Sequence, residues 1–134
     1  MKIQLTTFQI GTPATPGQGL RIGVTRHPPR GVPKSRWVAE GYFDVWLPTL
    51  APEAKLVSQI LKFDPEKTAA REKLFDRYER ALLSDATGRQ TVELIAQIAM
   101  RMPVSIGCFC PDESHCHRAR LFKIILKHAT AGAS

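Results

Sequence analysis

The chain has 134 residues, a length that favours a single domain with one hydrophobic core and does not require a metal or a disulfide merely to fold. Lysine and arginine number 19 against 12 aspartates and glutamates, and the net charge of +7 is expected to attract phosphate-bearing partners. The first residues lack the apolar stretch of a signal peptide, no apolar run is long enough to span a bilayer, and the three cysteines lie too close together for a secreted disulfide framework. We therefore expect a soluble, cytoplasmic protein with no membrane partner, and the oligomeric state stays open.

Two β-strands are predicted in the first part of the chain. Residues 2–10 alternate loosely and contain β-branched side chains. After a break rich in glycine and proline, residues 20–26 place every second apolar side chain on one face of a second strand. The proline-rich exit at 27–33 excludes regular structure there, and residues 42–50 are expected to form a short strand or an extended core segment.

Three helices are predicted in the middle of the chain. Apolar side chains at three-and-four spacing indicate helices at about 52–62, 64–83 and 90–102. Asp64 and Pro65 form a favourable opening for the second of them, because aspartate caps free amide groups and proline at the first helical position loses no needed donor.

The end of the chain predicts one more strand and one more helix. The strand carries Cys108 and Cys110 on one face, and the helix is expected at about 114–127, before a frayed tail at 128–134. Strands at both ends of the chain with helices between them predict a single α/β domain over residues 1–134, with a small parallel or mixed sheet flanked by about four helices.

The strand-to-helix corner at residues 108–118, here called the cysteine corner, holds all three cysteines and two of the four histidines. A loop with a purely structural role is usually built from turn-forming residues, and cysteine and histidine are not among them. A binding or catalytic site is therefore predicted at this corner.

One interpretation of the cysteine corner is a metal site. Cys108, Cys110 and Cys116 would be joined by His115 or His117, because zinc prefers four tetrahedral sulfur and nitrogen ligands. Zinc or iron would then be the cofactor. The Cys-x-Cys spacing is shorter than the common gap of two to four residues between zinc ligands.

A second interpretation makes Cys108 or Cys116 a nucleophile or a redox thiol. Amide dipoles at a helix N-terminus stabilise a thiolate, and Arg118 would hold the oxyanions of a phosphate or sulfur-acceptor substrate. The Cys-x5-Arg signature of cysteine phosphatases is absent, because it requires arginine at the position of Cys116. A structural interpretation also stays open, with Cys108 as a small core residue and His117 as a packing or capping side chain.

A basic stretch, here called the basic arm, follows the second predicted strand and carries Arg26, His27, Arg30, Lys34 and Arg36. Open α/β sheets place ligand-binding loops at such positions. If the second and last strands are parallel neighbours, the basic arm and the cysteine corner open on the same edge and form a cationic pocket; antiparallel strands would separate them. For Lys34 and Arg36 a solvated loop is the simpler interpretation.

Four sequence elements, taken in order, resemble a known family. They are Arg26-x3-Arg30-Gly31-Val32, Phe43-x2-Trp46-Leu47-x2-Leu50-Ala51-Pro52, Asp64-Pro65 and Cys108-x7-Cys116-His117-Arg118. Together they resemble the bacterial family named domain of unknown function 488 (DUF488), including its YeaO-like branch, over nearly the whole chain. The resemblance implies a compact Rossmann-like α/β domain in the cytoplasm and names no reaction.

The chain departs from that branch at two positions of the basic arm. Thr25 stands where the branch often has an acidic residue, and Pro28 where it often has an aromatic one, while many members lack the cysteine corner. What the resemblance carries over is a set of candidate site or fold-defining positions: Arg26, Arg30, Trp46, Cys108, Cys116, His117 and Arg118.

The leading functional prediction is a cationic pocket that binds a small anionic or phosphate-bearing ligand beside a cysteine and histidine cluster. In a cysteine-dependent transferase or hydrolase, Cys108, Cys116 and Arg118 would be catalytic. The alternative is a metal-binding module that uses the cysteine corner, and a second alternative is a nucleic-acid-associated protein that uses the basic arm. The residues expected to bind the ligand are Arg26, Arg30, His117 and Trp46.

Overall fold

A computed structural model describes residues 3–62, 67–110 and 116–132 of the chain. The predicted helix opening at Asp64 and Pro65 lies outside these ranges, as does His115. The described strands are β1 (Leu5–Gln9), β2 (Leu20–Gly23), β3 (Val45–Trp46) and β4 (Val104–Cys108). The described helices are α1 (Ala54–Leu61), α2 (Thr68–Ser84), α3 (Ala86–Ala99) and α4 (His117–Gly132), with short 3-10 turns at Lys34–Arg36 and Pro48–Leu50.

The four strands form one sheet in the order β1-β4-β2-β3, and every neighbouring pair is parallel. Strand β4 lies in the interior of the sheet, pairing Leu5 with Val104 on one side and Leu20 with Val104 on the other. All five of its residues are buried, as is usual for a parallel strand covered on both faces. The α/β prediction is confirmed, and the fold is consistent with a compact Rossmann-like domain.

Two hydrophobic clusters cover the sheet. All four helices contribute to the larger cluster, which includes Ile22 and Ile106 of the sheet. The buried hydroxyl of Tyr78 in α2 donates a hydrogen bond to the carbonyl oxygen of Leu50 at 2.6 Å, which ties α2 to the segment before α1. The smaller cluster is aromatic and joins the sheet to the irregular segment around residues 32–43; its buried members are Phe8, Ile10, Trp37 and Phe43.

Several element boundaries differ from the prediction. Helix α3 begins at Ala86, before residue 90, because Asp85 accepts a hydrogen bond from the amide of Gly88 and caps it. Helix α4 continues to Gly132, past the predicted end at residue 127, with Ala129 fully buried against the core. Strand β4 ends at Cys108, so Cys110 lies beyond it.

Among the described residues, no helix combines the length and the apolar composition that crossing a membrane requires.

The last residue of β2, Gly23, has no side chain, and the ring of Phe43 occupies the space that a side chain would need. A Cβ atom built on Gly23 would lie 2.3 Å from a ring carbon of Phe43, which is 1% exposed. Only glycine lets this ring lie directly against β2 at the point where the basic arm begins.

Replacing Gly23 by alanine is expected to lower the free energy of unfolding by about 1–3 kcal/mol, because the added methyl group has no space beside the ring of Phe43. Urea unfolding followed by circular dichroism measures this change. In a Phe43→Leu background the same substitution should cost less, since the obstructing ring is gone. Equal costs in the two backgrounds would contradict the steric explanation.

Candidate functional site

The three cysteine sulfurs meet at the carboxyl end of β4. Cys108 is the last residue of β4, Cys110 follows two positions later, and Cys116 immediately precedes α4. The three Sγ atoms lie within 4.8 Å of one another, and those of Cys108 and Cys110 are 3.9 Å apart. Cys108 and Cys116 are buried and Cys110 is half-buried, and all three are free thiols. The sulfurs are therefore close enough to hold one metal ion.

Arg118, the second residue of α4, binds the backbone of the cysteine corner. Its side chain is buried, and Nη1 donates hydrogen bonds to the carbonyl oxygens of Cys110 at 2.7 Å and Cys108 at 3.4 Å. Its Nε has no hydrogen-bond acceptor within the described part of the chain. The sequence predicts Arg118 as an anion holder, whereas the structure places its guanidinium against these two carbonyl groups.

His117 connects the cysteine corner to the start of the basic arm. Its Nε2 lies 2.7 Å from the carbonyl oxygen of Val24, which can only accept, so Nε2 carries the proton. The other nitrogen, Nδ1, then keeps its lone pair and lies 3.7 Å from the sulfur of Cys116. Burial lowers the pKa of His117, which favours this neutral tautomer.

The thiols of the corner are electrostatically unequal. Hydrogen bonds from Cys110 and Cys116 to its sulfur lower the pKa of Cys108. The pKa of Cys116 is raised, first by its hydrogen bond to Cys108 and then by Cys110 and burial. In the metal-free protein, negative charge in the cluster is therefore best accommodated on Cys108.

A cavity of about 370 Å³ opens beside the sulfurs. Because β2 and β4 are parallel neighbours, the basic arm and the cysteine corner emerge at the same edge of the sheet and both line this cavity. Neither Arg26 nor Arg30 makes a hydrogen bond or an ion pair within the part of the chain that the structure describes. The lining consists of Thr25, Arg26, His27, Pro28, Pro29 and Arg30 from the arm, Pro52, Val57 and Ile60 from α1 and the residues before it, and Cys108, Phe109, Cys110, Cys116 and His117 from the corner.

Two tryptophans hold the basic arm in place from outside the cavity. The indole Nε1 of Trp46 donates a hydrogen bond to the carbonyl oxygen of Thr25 at 2.9 Å, and that of Trp37 donates one to Val32 at 3.2 Å. The two rings pack edge to face with centroids 6.5 Å apart. Trp46, predicted to bind the ligand, is thus placed where it anchors the arm.

Other arm residues lie away from the cavity lining. Lys34 and Arg36 form a 3-10 turn, and Arg36 is ion-paired with Glu40. Conversely, Val57, Ile60 and Phe109 line the cavity although the sequence analysis did not place them in a site. For Phe109 the sequence held a signal, because this residue stands between two cysteines; for Val57 and Ile60 it held none beyond a pattern typical of core packing.

Comparison with known proteins places the chain in a family. The sequence model of DUF488-N3a, described as the active DUF488-N3 subclade, matches residues 5–129. The chain belongs to the DUF488-N3a family. The resemblance to DUF488 is confirmed by this match. No curated protein and no solved structure shows significant similarity to this chain.

Replacing Arg118 by alanine is expected to lower the free energy of unfolding by about 2–3 kcal/mol, because two carbonyl groups lose a charged donor in a buried site. Arg101→Ala is the matched control. The exposed side chain of Arg101 bonds only to Gln97 among the described residues, and its removal should change stability by less than about 0.5 kcal/mol. Urea unfolding measures both. Equal stability of the two variants would show that the corner does not depend on Arg118.

Proposed function

We propose that this DUF488-N3a protein binds a soft metal ion, zinc or iron, through Cys108, Cys110 and Cys116, and takes a small anionic ligand in the adjoining cavity. The observation that carries the proposal is the mutual distance of the three sulfurs, none more than 4.8 Å from another, on the wall of that cavity. The description of the family as an active subclade supports a catalytic use of the centre.

Two separations within the corner match a tetrahedral centre, and all three sulfurs lie within 4.8 Å of one another. Zinc bonds are about 2.3 Å to sulfur and about 2.0 Å to nitrogen. In a tetrahedral site they set two sulfurs about 3.8 Å apart and a sulfur and a nitrogen about 3.5 Å apart. The corresponding separations are 3.9 Å between Cys108 and Cys110 and 3.7 Å between Cys116 and Nδ1 of His117.

His117 is also oriented as metal-binding histidines usually are. Such a histidine donates its second ring N–H to a carboxylate or a backbone carbonyl, which fixes the tautomer and the ring direction. The bond from Nε2 of His117 to Val24 does this and leaves Nδ1 directed to Cys116. His117 is thus the fourth ligand we propose, and the cavity is the route by which a ligand reaches the ion.

The basic arm supplies the charge that an anionic ligand needs. Arg26 and Arg30 line the same cavity as the sulfurs and have no ion-pair partner among the described residues. A guanidinium binds phosphate or carboxylate oxygens through two parallel hydrogen bonds, which fixes orientation as well as affinity. The apolar walls formed by Val57, Ile60 and Phe109 exclude water and strengthen these contacts.

A second candidate function is cysteine-dependent transfer or hydrolysis without a metal, favoured by the sulfur of Cys110 at 3.9 Å from that of Cys108 and by the lowered pKa of the Cys108 thiol. The Cys108 thiolate would attack an electrophilic atom of the substrate, forming a bond from sulfur to that atom while the leaving group departs with its electron pair. Water or an acceptor hydroxyl would then attack the same atom and return the electron pair to sulfur. The proton released is taken up by the departed group, which completes the balance.

Elemental analysis of protein purified under reducing conditions and without chelator tests the metal. We expect about one zinc or iron per chain and thiols that react with a disulfide reagent only after chelation. Replacing any one of Cys108, Cys110 and Cys116 by serine should remove most of the metal. His117→Gln should weaken binding about 10–100-fold, whereas His128→Gln, which alters a histidine bonded to Ile124 on α4, should leave it unchanged.

Metal-free protein that cannot be loaded with zinc or iron would contradict the metal proposal. If one thiol then alkylates much faster than the others and mass spectrometry places the adduct on Cys108, the second candidate is supported, because Cys110 is the more exposed of the two. A fast adduct on Cys110 would contradict both functions.

The anion site is tested separately with inorganic phosphate. Arg26→Ala and Arg30→Ala are each expected to raise its dissociation constant about tenfold, because each removes a bidentate charged donor from the cavity. Isothermal titration calorimetry measures the constant, and Lys34→Ala, which removes a charge from the arm outside the cavity, is the control. Equal effects of all three substitutions would indicate a general effect of net charge and no defined site.

A further inference from the structure

A second, larger cavity of about 820 Å³ adjoins the first. It lies between α2 and the segment that leads into α1, and Arg26 and Pro52 line both cavities. The two spaces therefore share Arg26 and Pro52 as wall residues. A ligand held by Arg26 has room on both sides of that side chain.

The second cavity is cationic. Arg77 and Arg80 of α2 line it together with Arg26, and the acidic residues that face it are Glu53 and Asp85. The carboxylate of Asp85 is engaged as the cap of α3, where it accepts a hydrogen bond from the amide of Gly88.

The three guanidinium groups are available for an anion. Within the described ranges, the guanidinium of Arg77 bonds only to the neutral side-chain oxygen of Gln59, at 3.3 Å, and the side chains of Arg26 and Arg80 make no hydrogen bond or ion pair. Three guanidinium groups that make no ion pair among the described residues line this cavity against two carboxylates, and such an excess of positive charge favours a phosphate chain.

The first cavity differs in character. Pro28, Pro29, Val57, Ile60 and Phe109 give it broad apolar walls, and His27 adds a polar ring. Flat apolar walls with a few polar groups accept a planar heterocycle, and about 370 Å³ is within the range of small-molecule sites. One end of the joined space thus suits a ring and the other suits phosphates.

We propose that the two cavities together bind one free nucleotide, with its base in the cavity beside the cysteines and its phosphates among Arg26, Arg77 and Arg80. This extends the proposed function, on which it rests for the anionic ligand, by naming the ligand class and adding a second subsite. The base then lies next to the three sulfurs, and Arg26 contacts the phosphate nearest to the ribose.

Isothermal titration calorimetry with ADP, GDP, CDP and UDP, each tested against its own nucleoside and against pyrophosphate, tests the proposal. We expect at least one nucleoside diphosphate to bind about tenfold or more tightly than both its nucleoside and pyrophosphate, because only the nucleotide fills both subsites. The double substitution Arg77→Ala with Arg80→Ala should raise the dissociation constant of that nucleotide about tenfold and leave that of the nucleoside unchanged.

The matched control is Arg101→Ala with Lys127→Ala, which removes two positive charges from exposed positions outside both cavities and should leave nucleotide binding unchanged. Nucleotides that bind no more tightly than pyrophosphate would overturn the proposal, as would equal effects of the two double substitutions.

The test of nucleotide binding can fail independently of the tests of metal and phosphate binding. Metal content and the dependence of phosphate binding on Arg30 do not involve Arg77 or Arg80. If both hold while the Arg77 and Arg80 substitutions leave nucleotide binding unchanged, the second subsite is wrong and the proposed function stands. If a nucleotide binds with the expected dependence to protein that takes up no metal, the subsite stands and the metal proposal is wrong.

Discussion

The parallel pairing of β2 with β4 is the constraint on which the rest of the structure depends. The register from Leu20 with Val104 to Gly23 with Gly107 brings the carboxyl ends of the two strands to the same edge of the sheet. The chain leaves β2 into the basic arm and leaves β4 into the cysteine corner. Arginines near residue 26 and sulfurs near residue 108, far apart in the sequence, consequently line one cavity.

Side chains from α4 and from the aromatic cluster keep this edge in shape by binding backbone carbonyl groups. Arg118 binds the carbonyls of Cys108 and Cys110, and His117 binds that of Val24. Trp46 binds the carbonyl of Thr25 from the other side of the arm. Irregular backbone near a site needs such donors, because a buried carbonyl without a partner is costly. Among the described residues, the side chains of Arg26 and Arg30 make no such bonds and stay available at the cavity.

Burial separates the arginines that stabilise the fold from those that are available to a ligand. A buried arginine such as Arg118 must satisfy its donors within the protein, so it stabilises the corner. The exposed Arg26, Arg77 and Arg80 keep their guanidinium groups at cavity surfaces, where a phosphate can replace the water that solvates them. A thiolate metal centre and a phosphate subsite at opposite ends of one joined space would orient a nucleotide with its base toward the metal.

The amino-acid sequence by itself determined the fold class, the approximate positions of the strands and helices, and the segments that carry the reactive side chains. Hydrophobic periodicity placed three strands and four helices close to where they occur, since period-two and period-3.6 patterns depend only on local geometry, and it left residues 42–50 open between a short strand and an extended segment. The concentration of thiols and imidazoles at the cysteine corner, and of arginines in the basic arm, identified two of the segments that line the first cavity, but not the wall formed by α1. Boundaries such as the start of α3 at Ala86 and the end of α4 at Gly132 were set by a cap and by core packing that periodicity does not encode.

Only the tertiary structure decided which strands pair and which side chains come together. Parallel pairing of β2 with β4, the convergence of three sulfurs, the turn of Arg118 toward carbonyl groups and the joining of a second cavity through Arg26 all depend on contacts between residues distant in the chain. Local pattern specifies which face of an element is apolar, but the neighbour against which that face packs is chosen by the free energy of the whole fold. For that reason the sequence identified the chemistry available to this protein, and the sheet determined where that chemistry is assembled.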